Sequence, residues 1–187
     1  MFPIQEQGSG KGIGHSLGSF LERFDTICKE HTEQDRARAF AFIFYNFSDQ
    51  HLRRILKDQG AFAKLDRLAG QDLTVFYLNS GSQDAVMTFN SMFFTALKLE
   101  EKAKPPCVVF FKLRRDHVEQ IVVAQLNNAE LIHGFKELYE VIERYIRSDK
   151  DNAKVVLKSL SWIRSTLRFL SIEGFRVALR RGLEGLL

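Results

Sequence analysis

Thiols, imidazoles and paired carboxylates are the side chains best suited to chemistry, and this chain carries two cysteines and five histidines. Cys28 and His31 stand three apart, a spacing that could share a metal. Structural zinc wants four ligands and no second Cys/His pair lies nearby, so the pair reads as a core thiol beside a partly exposed imidazole, and no metal is expected. His51, His117 and His133 are isolated in sequence and read as surface or cap residues. Glu137, Glu140 and Glu143, with Lys136 and Arg144 among them, form a solvated helix face. The run G-S-G-K-G-I-G-H-S-L-G-S at 8–19 fails as a phosphate loop. Gln5 stands where the first glycine belongs, Gly12 replaces the Ser or Thr after Lys11, and no strand is read ahead of it. It reads as a flexible leader. No G-x-S-x-G, H-E-x-x-H or EF-hand loop occurs. Cys107 remains, read as a small buried apolar residue at the start of a strand; a redox-sensing or glutathione-contacting thiol is the alternative.

The elements that must position these groups follow from hydrophobic spacing. Cys107–Leu113 and Val118–Leu126 are apolar runs around a polar break at Arg114–His117, a hairpin with Pro105-Pro106 directly ahead of it. Arg38–Phe47 is apolar on both faces, as a central parallel strand should be. Asp72–Asn79 is a second strand, and a helix between the two implies a right-handed parallel crossover. Helical stripes are expected at about 16–34, from a Ser48 or Asp49 cap to a break at Gly60 and beyond, at 84–102, burying Met87 or Phe89, and at 128–147. The order is α-β-α-β-α-β-β-α.

Composition sets the class. The 187 residues are 45% hydrophobic and 27% charged, as in a globular protein with one domain and an extension, and 17 phenylalanines make the core aromatic. No apolar run approaches the ~20 residues of a membrane span, and the N-terminus shows no signal-peptide pattern, so a cytoplasmic protein is expected.

At residues 38–147 the chain resembles the thioredoxin superfamily. L-T-V-F-Y-L-N looks like the strand before the family's intermediate helix, and P-P-C-V-V-F-F-K like its cis-proline segment, with Pro106 at the cis position and Cys107 after it. The resemblance implies a thioredoxin-like α/β fold, a mixed four-stranded sheet with flanking helices. With Tyr45-Asn46 at the end of the first core strand, Asp49 and Leu52 fall where the family has its C-x-x-C cysteines. Dithiol exchange by the family mechanism is thereby excluded. A peroxidatic cysteine of the peroxiredoxin kind is missing from the same region, and the helical remainder is too short for a glutathione transferase. What remains is a non-catalytic binding or adaptor domain, not an enzyme, with no cofactor. Its contact face is drawn from Phe47, Ser48, Asp49, Pro105, Pro106 and Cys107.

Positive charge collects at the C-terminus. Residues 153–187 hold Lys154, Lys158, Arg164, Arg168, Arg176, Arg180 and Arg181 against Glu173 and Glu184, a net of +5 in a chain of net +4. Apolar residues there recur by threes and fours, so a basic amphipathic helical extension is expected over 149–187, after a leader at 1–15 and a thioredoxin-like domain at 16–148. Its seams are expected to pack on the domain or on a second copy of the chain, with those seven cations as a contact surface for a protein partner. Docking on an anionic membrane surface is the second reading. Nucleic acid is the least supported, because no recognition motif appears. An enzyme using Cys107 completes the alternatives.

Overall fold

Short β-rich runs and helical stripes divide the chain between them, and in the computed structural model they build one mixed sheet with helices on both faces. The structure describes residues 2–5, 15–16, 20, 26, 38–70, 72–114, 117–126, 134–150, 162–165, 170–171, 174–175 and 177–178. The strands are β1 (Phe2–Gln5), β2 (His15–Ser16), β3 (Arg38–Phe44), β4 (Leu73–Asn79), β5 (Cys107–Arg114), β6 (His117–Gln125), β7 (Trp162–Ser165) and β8 (Leu170–Ser171). The helices are α1 (Gln50–Lys57), α2 (Gln59–Ala69), α3 (Gln83–Ala96) and α4 (Gly134–Lys150). Among the described residues no helix is long and apolar enough to cross a membrane.

The sheet order is β2-β1-β4-β3-β5-β6-β7, with β8 also on β6. Its centre is the expected four strands: β3 and β4 run parallel, and β5 is antiparallel to both β3 and β6. Two additions depart from the sequence reading. β1 and β2 lie within and beside the expected leader, β1 pairing in parallel with β4 from Phe2↔Phe76 to Gln5↔Asn79. β7 and β8 occur where helix was expected, pairing with β6 at Val122↔Arg164 and Val118↔Leu170. Each covers a flank of the central four that would otherwise present a row of unpaired N–H and C=O groups, and closing such an edge outweighs the local helical pattern. Helical residues recur only at Gly174, Phe175, Val177 and Ala178 among the described part of the tail.

Strand alternation sorts the core into two layers. Phe40, Phe42 and Phe44 of β3 share one face with Phe76 and Phe111, and meet Phe20 and, from α3, Phe89, Phe93 and Phe94. Phe42 is the hub, with ring centroids 4.5 Å from Phe93, 5.3 Å from Phe76 and 5.6 Å from Phe111. Such pairs add about 0.5–1.5 kcal/mol each beyond burial. Phe175 completes the layer from the tail, fully buried against Phe93 and Phe111. On the opposite face Phe110 stacks on Tyr145 of α4 at 4.1 Å and Phe62 of α2 meets Tyr77. The exposed side of α4 carries Lys136, Glu140 and Arg144 in one i,i+4 series and Glu143 with Arg147 in another.

Helix ends are set by side chains and turn geometry. α1 stops at Lys57 because Asp58 becomes extended (φ −77°, ψ 116°) and caps α2, its Oδ1 accepting from Ala61 N at 2.7 Å. The break therefore precedes Gly60 by two residues. Ser82 caps α3, accepting from Ala85 N, and Phe89 rather than Met87 takes the buried position. α3 ends six residues before the expected Lys102, in a left-handed cap: Leu99 N donates to Phe94 O and Lys98 N to Thr95 O, with Lys98 at φ 52°. Glycine normally fills that place. Lys98→Gly is expected to raise stability by about 1 kcal/mol, read as a higher urea midpoint at unchanged slope. A lower midpoint would show that the Lys98 side chain outweighs its backbone strain.

Candidate functional site

Two loops meet at the end of β3. The first, Asn46–Asp49, is a turn closed twice, by Asp49 N donating to Asn46 O (2.9 Å) and by Asn46 N donating to Asp49 Oδ2 (2.6 Å). Asp49 occupies the N-cap position of α1, but its carboxylate points back to Asn46 instead of forward to the free N–H groups of the helix. The second loop holds the cis Pro105–Pro106 bond and enters β5. Asn46 joins them, its Nδ2 donating to Pro105 O at 3.1 Å. Gln125 of β6 holds the second loop from the far side, its Nε2 donating to Lys104 O (2.6 Å) and Pro106 O (2.8 Å), while Leu126 N donates to Pro106 O.

Arg53, one turn into α1, fixes the first loop. Its guanidinium lies 3.8 Å over the Phe47 ring and one terminal nitrogen donates to Phe47 O at 3.0 Å. Arg53 Nε is buried with no acceptor. Behind the loops, Tyr45 is buried and its hydroxyl donates to Leu78 O at 2.7 Å, while Asn90 of α3 donates to Tyr45 O at 3.0 Å. Burial raises the Tyr45 pKa, against the opposing pull of a backbone hydrogen bond at Ser80 and the Arg53 charge.

The six residues drawn from the sequence come together here but play different parts. Ser48 is exposed, Phe47 and Pro105 are half-buried, and Asp49 is nearly buried in its own turn. Pro106 and Cys107 do not reach the surface, because β5 begins there between β3 and β6, with Cys107 opposite both Phe44 and Gln125. Cys107 is fully buried, and burial pushes its thiol up to about 12. It is a packing residue, and of the six only Phe47, Ser48 and Pro105 reach the surface. Asn46, Arg53 and Gln125, which build the site, are absent from the sequence reading. Asn46, directly after an apolar strand and three residues before Asp49, is the one a turn motif could have indicated.

Chemically, the corner offers hydrogen bonds, a clamped guanidinium and an aromatic ring, with no accessible thiol among its described residues. Pro105 has no N–H, and its carbonyl already accepts from Asn46, so the loop gives an extended ligand little backbone to pair with. Among the described residues no group of three His, Cys, Asp or Glu could hold a metal. Cys28, His31, the glycine-rich run at 8–14, His133 and six of the seven tail cations lie outside the described residues; Arg164 is placed only by its β7 register. The chain matches no family model, no curated protein and no solved structure.

Proposed function

We propose that this chain is a thioredoxin-like domain without redox cysteines that works as a binding or adaptor module rather than an enzyme. Support for the fold comes from the strand order β4-β3-β5-β6, the parallel β3/β4 pair, the antiparallel β5/β6 hairpin and the cis Pro105–Pro106 bond beside the end of β3. The observation that carries the function is what stands in place of the two thiols. Asp49 is locked by the hydrogen bond its carboxylate accepts from Asn46 N, and Leu52 is fully buried on the inner face of α1. A corner so held suits recognition of a protein partner, or of a second copy, through the side chains of Phe47, Ser48 and Arg53. The tail, anchored by Phe175, would carry the second, basic contact surface.

Against the thiol-enzyme alternative stands the depth of Cys107, whose neutral thiol is a poor nucleophile. With dithiothreitol or a thioredoxin reductase system, the protein is expected to reduce insulin disulfides no faster than the uncatalysed rate. Turnover above that rate, abolished by Cys107→Ala, would sink this reading in favour of an enzyme.

A further inference from the structure

From the charge pattern of α1 we infer a docking site for an acidic peptide segment of a partner protein, formed by Arg53, Arg54 and Lys57 beside Phe47 and Ser48. The inference rests on the binding-module reading and names the partner's chemistry. α1 reads Q-H-L-R-R-I-L-K, three cations with no carboxylate. Leu52 and Leu56 turn inward, leaving Gln50, Arg54 and Lys57 exposed at i, i+4 and i+7, with Arg53 on their flank. The cations of α4 show the contrast: exposed Lys136 and Arg147 and half-buried Arg144 each lie within 4 Å of Glu140 or Glu143. Arg54 and Lys57 have no such carboxylate among the described residues.

Stability alone does not account for the arrangement. Cations in the last turn complement the helix macrodipole, which suits Arg54 and Lys57. Arg53, one turn into the helix, is not among those last-turn cations, and its Nε is buried without an acceptor. Ring and carbonyl contacts hold its guanidinium in one place, as a pre-organised donor for a carboxylate. Spacing favours a peptide: alternate side chains of an extended strand repeat every ~6.6 Å, and neighbours on one helix face every ~5–6 Å.

Other occupants fit less well. The chain's own segment 153–187 carries a net of +5 and would be repelled. Among the described residues the exposed large hydrophobics are Met87 and Val177, neither on α1, so no apolar group there inserts into lipid. Three cations neutralise about three phosphates, below the roughly six to ten of a salt-sensitive nucleic-acid contact.

The test is fluorescence anisotropy of the full chain with a fluorescein-labelled (Glu-Ser)6 peptide at about 25 mM and 300 mM salt. Saturable binding is expected at low salt, weakened about tenfold or more by Arg54→Glu/Lys57→Glu. Lys136→Glu/Arg147→Glu, equal in charge change, is expected to alter it less than about threefold. Arg54→Gln/Lys57→Gln serves as a milder variant, with circular dichroism confirming the fold of each protein. No binding by the wild type, equal loss in the two reversed variants, or no loss in the α1 variants overturns the inference. So does tighter binding of phosphatidylserine vesicles or single-stranded DNA through the same residues. None of these results touches the insulin assay, so this inference and the binding-module reading fail separately.

Discussion

Phe175→Ala is expected to destabilise the protein by about 3–5 kcal/mol, the range for emptying a buried phenylalanine site. The ring is fully buried, with centroids 6.1 Å from both Phe93 and Phe111, so its loss opens a cavity between α3 and β5 that neither backbone can close easily. For a chain of this length the melting temperature should fall by roughly 10 °C. Val177→Ala, two residues on at a side chain 37% exposed, should change it little. The contrast matters because Phe175 lies in the basic tail. A loss below about 1 kcal/mol would mean that the tail does not belong to the core and that Phe111 and Phe93 are covered by something else.

Cys107 is expected to react with a disulfide reagent about a thousandfold more slowly in the folded than in the unfolded protein near pH 8, measured in a Cys28→Ser background. Burial pushes its thiol from the ordinary 9.0 to about 12, so the thiolate is nearly absent where an unfolded thiol is partly ionised. The same shift makes stability depend on alkaline pH. The folded chain keeps a proton that the unfolded chain loses, so this contribution is fully present below pH 9 and is lost as pH rises from 9 towards 12. Tyr77, raised to about 12 by burial, acts in the same sense above pH 10. Equal labelling rates in the folded and unfolded protein would show that the thiol is open to solvent, and would return Cys107 to the list of reactive groups.

The central sheet was legible because its strands are written in residues that fit only a covered strand: R-A-F-A-F-I-F, L-T-V-F-Y-L-N and the hairpin after Pro105-Pro106. Period-two alternation also accounts for the phenylalanine layer, since Phe40, Phe42 and Phe44 must share a face. The flanking strands were not legible. Phe2–Gln5 is four residues long and contains Pro3, which removes a ladder donor, yet it pairs along β4. At 162–171 the apolar spacing is helical, and the strands there are set by the neighbouring edge of β6, a tertiary effect that no local pattern records.

The candidate site was half legible. Turn residues at Ser48 and Asp49 and the paired prolines located the two loops. That Asn46 would join them, and that Arg53 would lie over Phe47, depends on the relation between β3, α1 and the β5 entry, which only the fold supplies. Cys107 shows the converse. Its place in sequence beside the cis bond drew attention to chemistry, whereas β5 begins between two strands and leaves the thiol no surface.

The claim that this corner recognises a protein partner is tested most directly by affinity capture from a lysate with three forms of the full chain: wild type, Ser48→Trp and Ser91→Trp. Ser48 is exposed on the Asn46–Asp49 turn, and Ser91 is exposed on α3 across the sheet, so each tryptophan blocks one face while leaving the core untouched. Quantified by mass spectrometry, at least one protein should be retained by wild type and Ser91→Trp and lost with Ser48→Trp. Retention that survives Ser48→Trp and disappears with Ser91→Trp, or wild-type capture indistinguishable from that of Ser48→Trp, would contradict it.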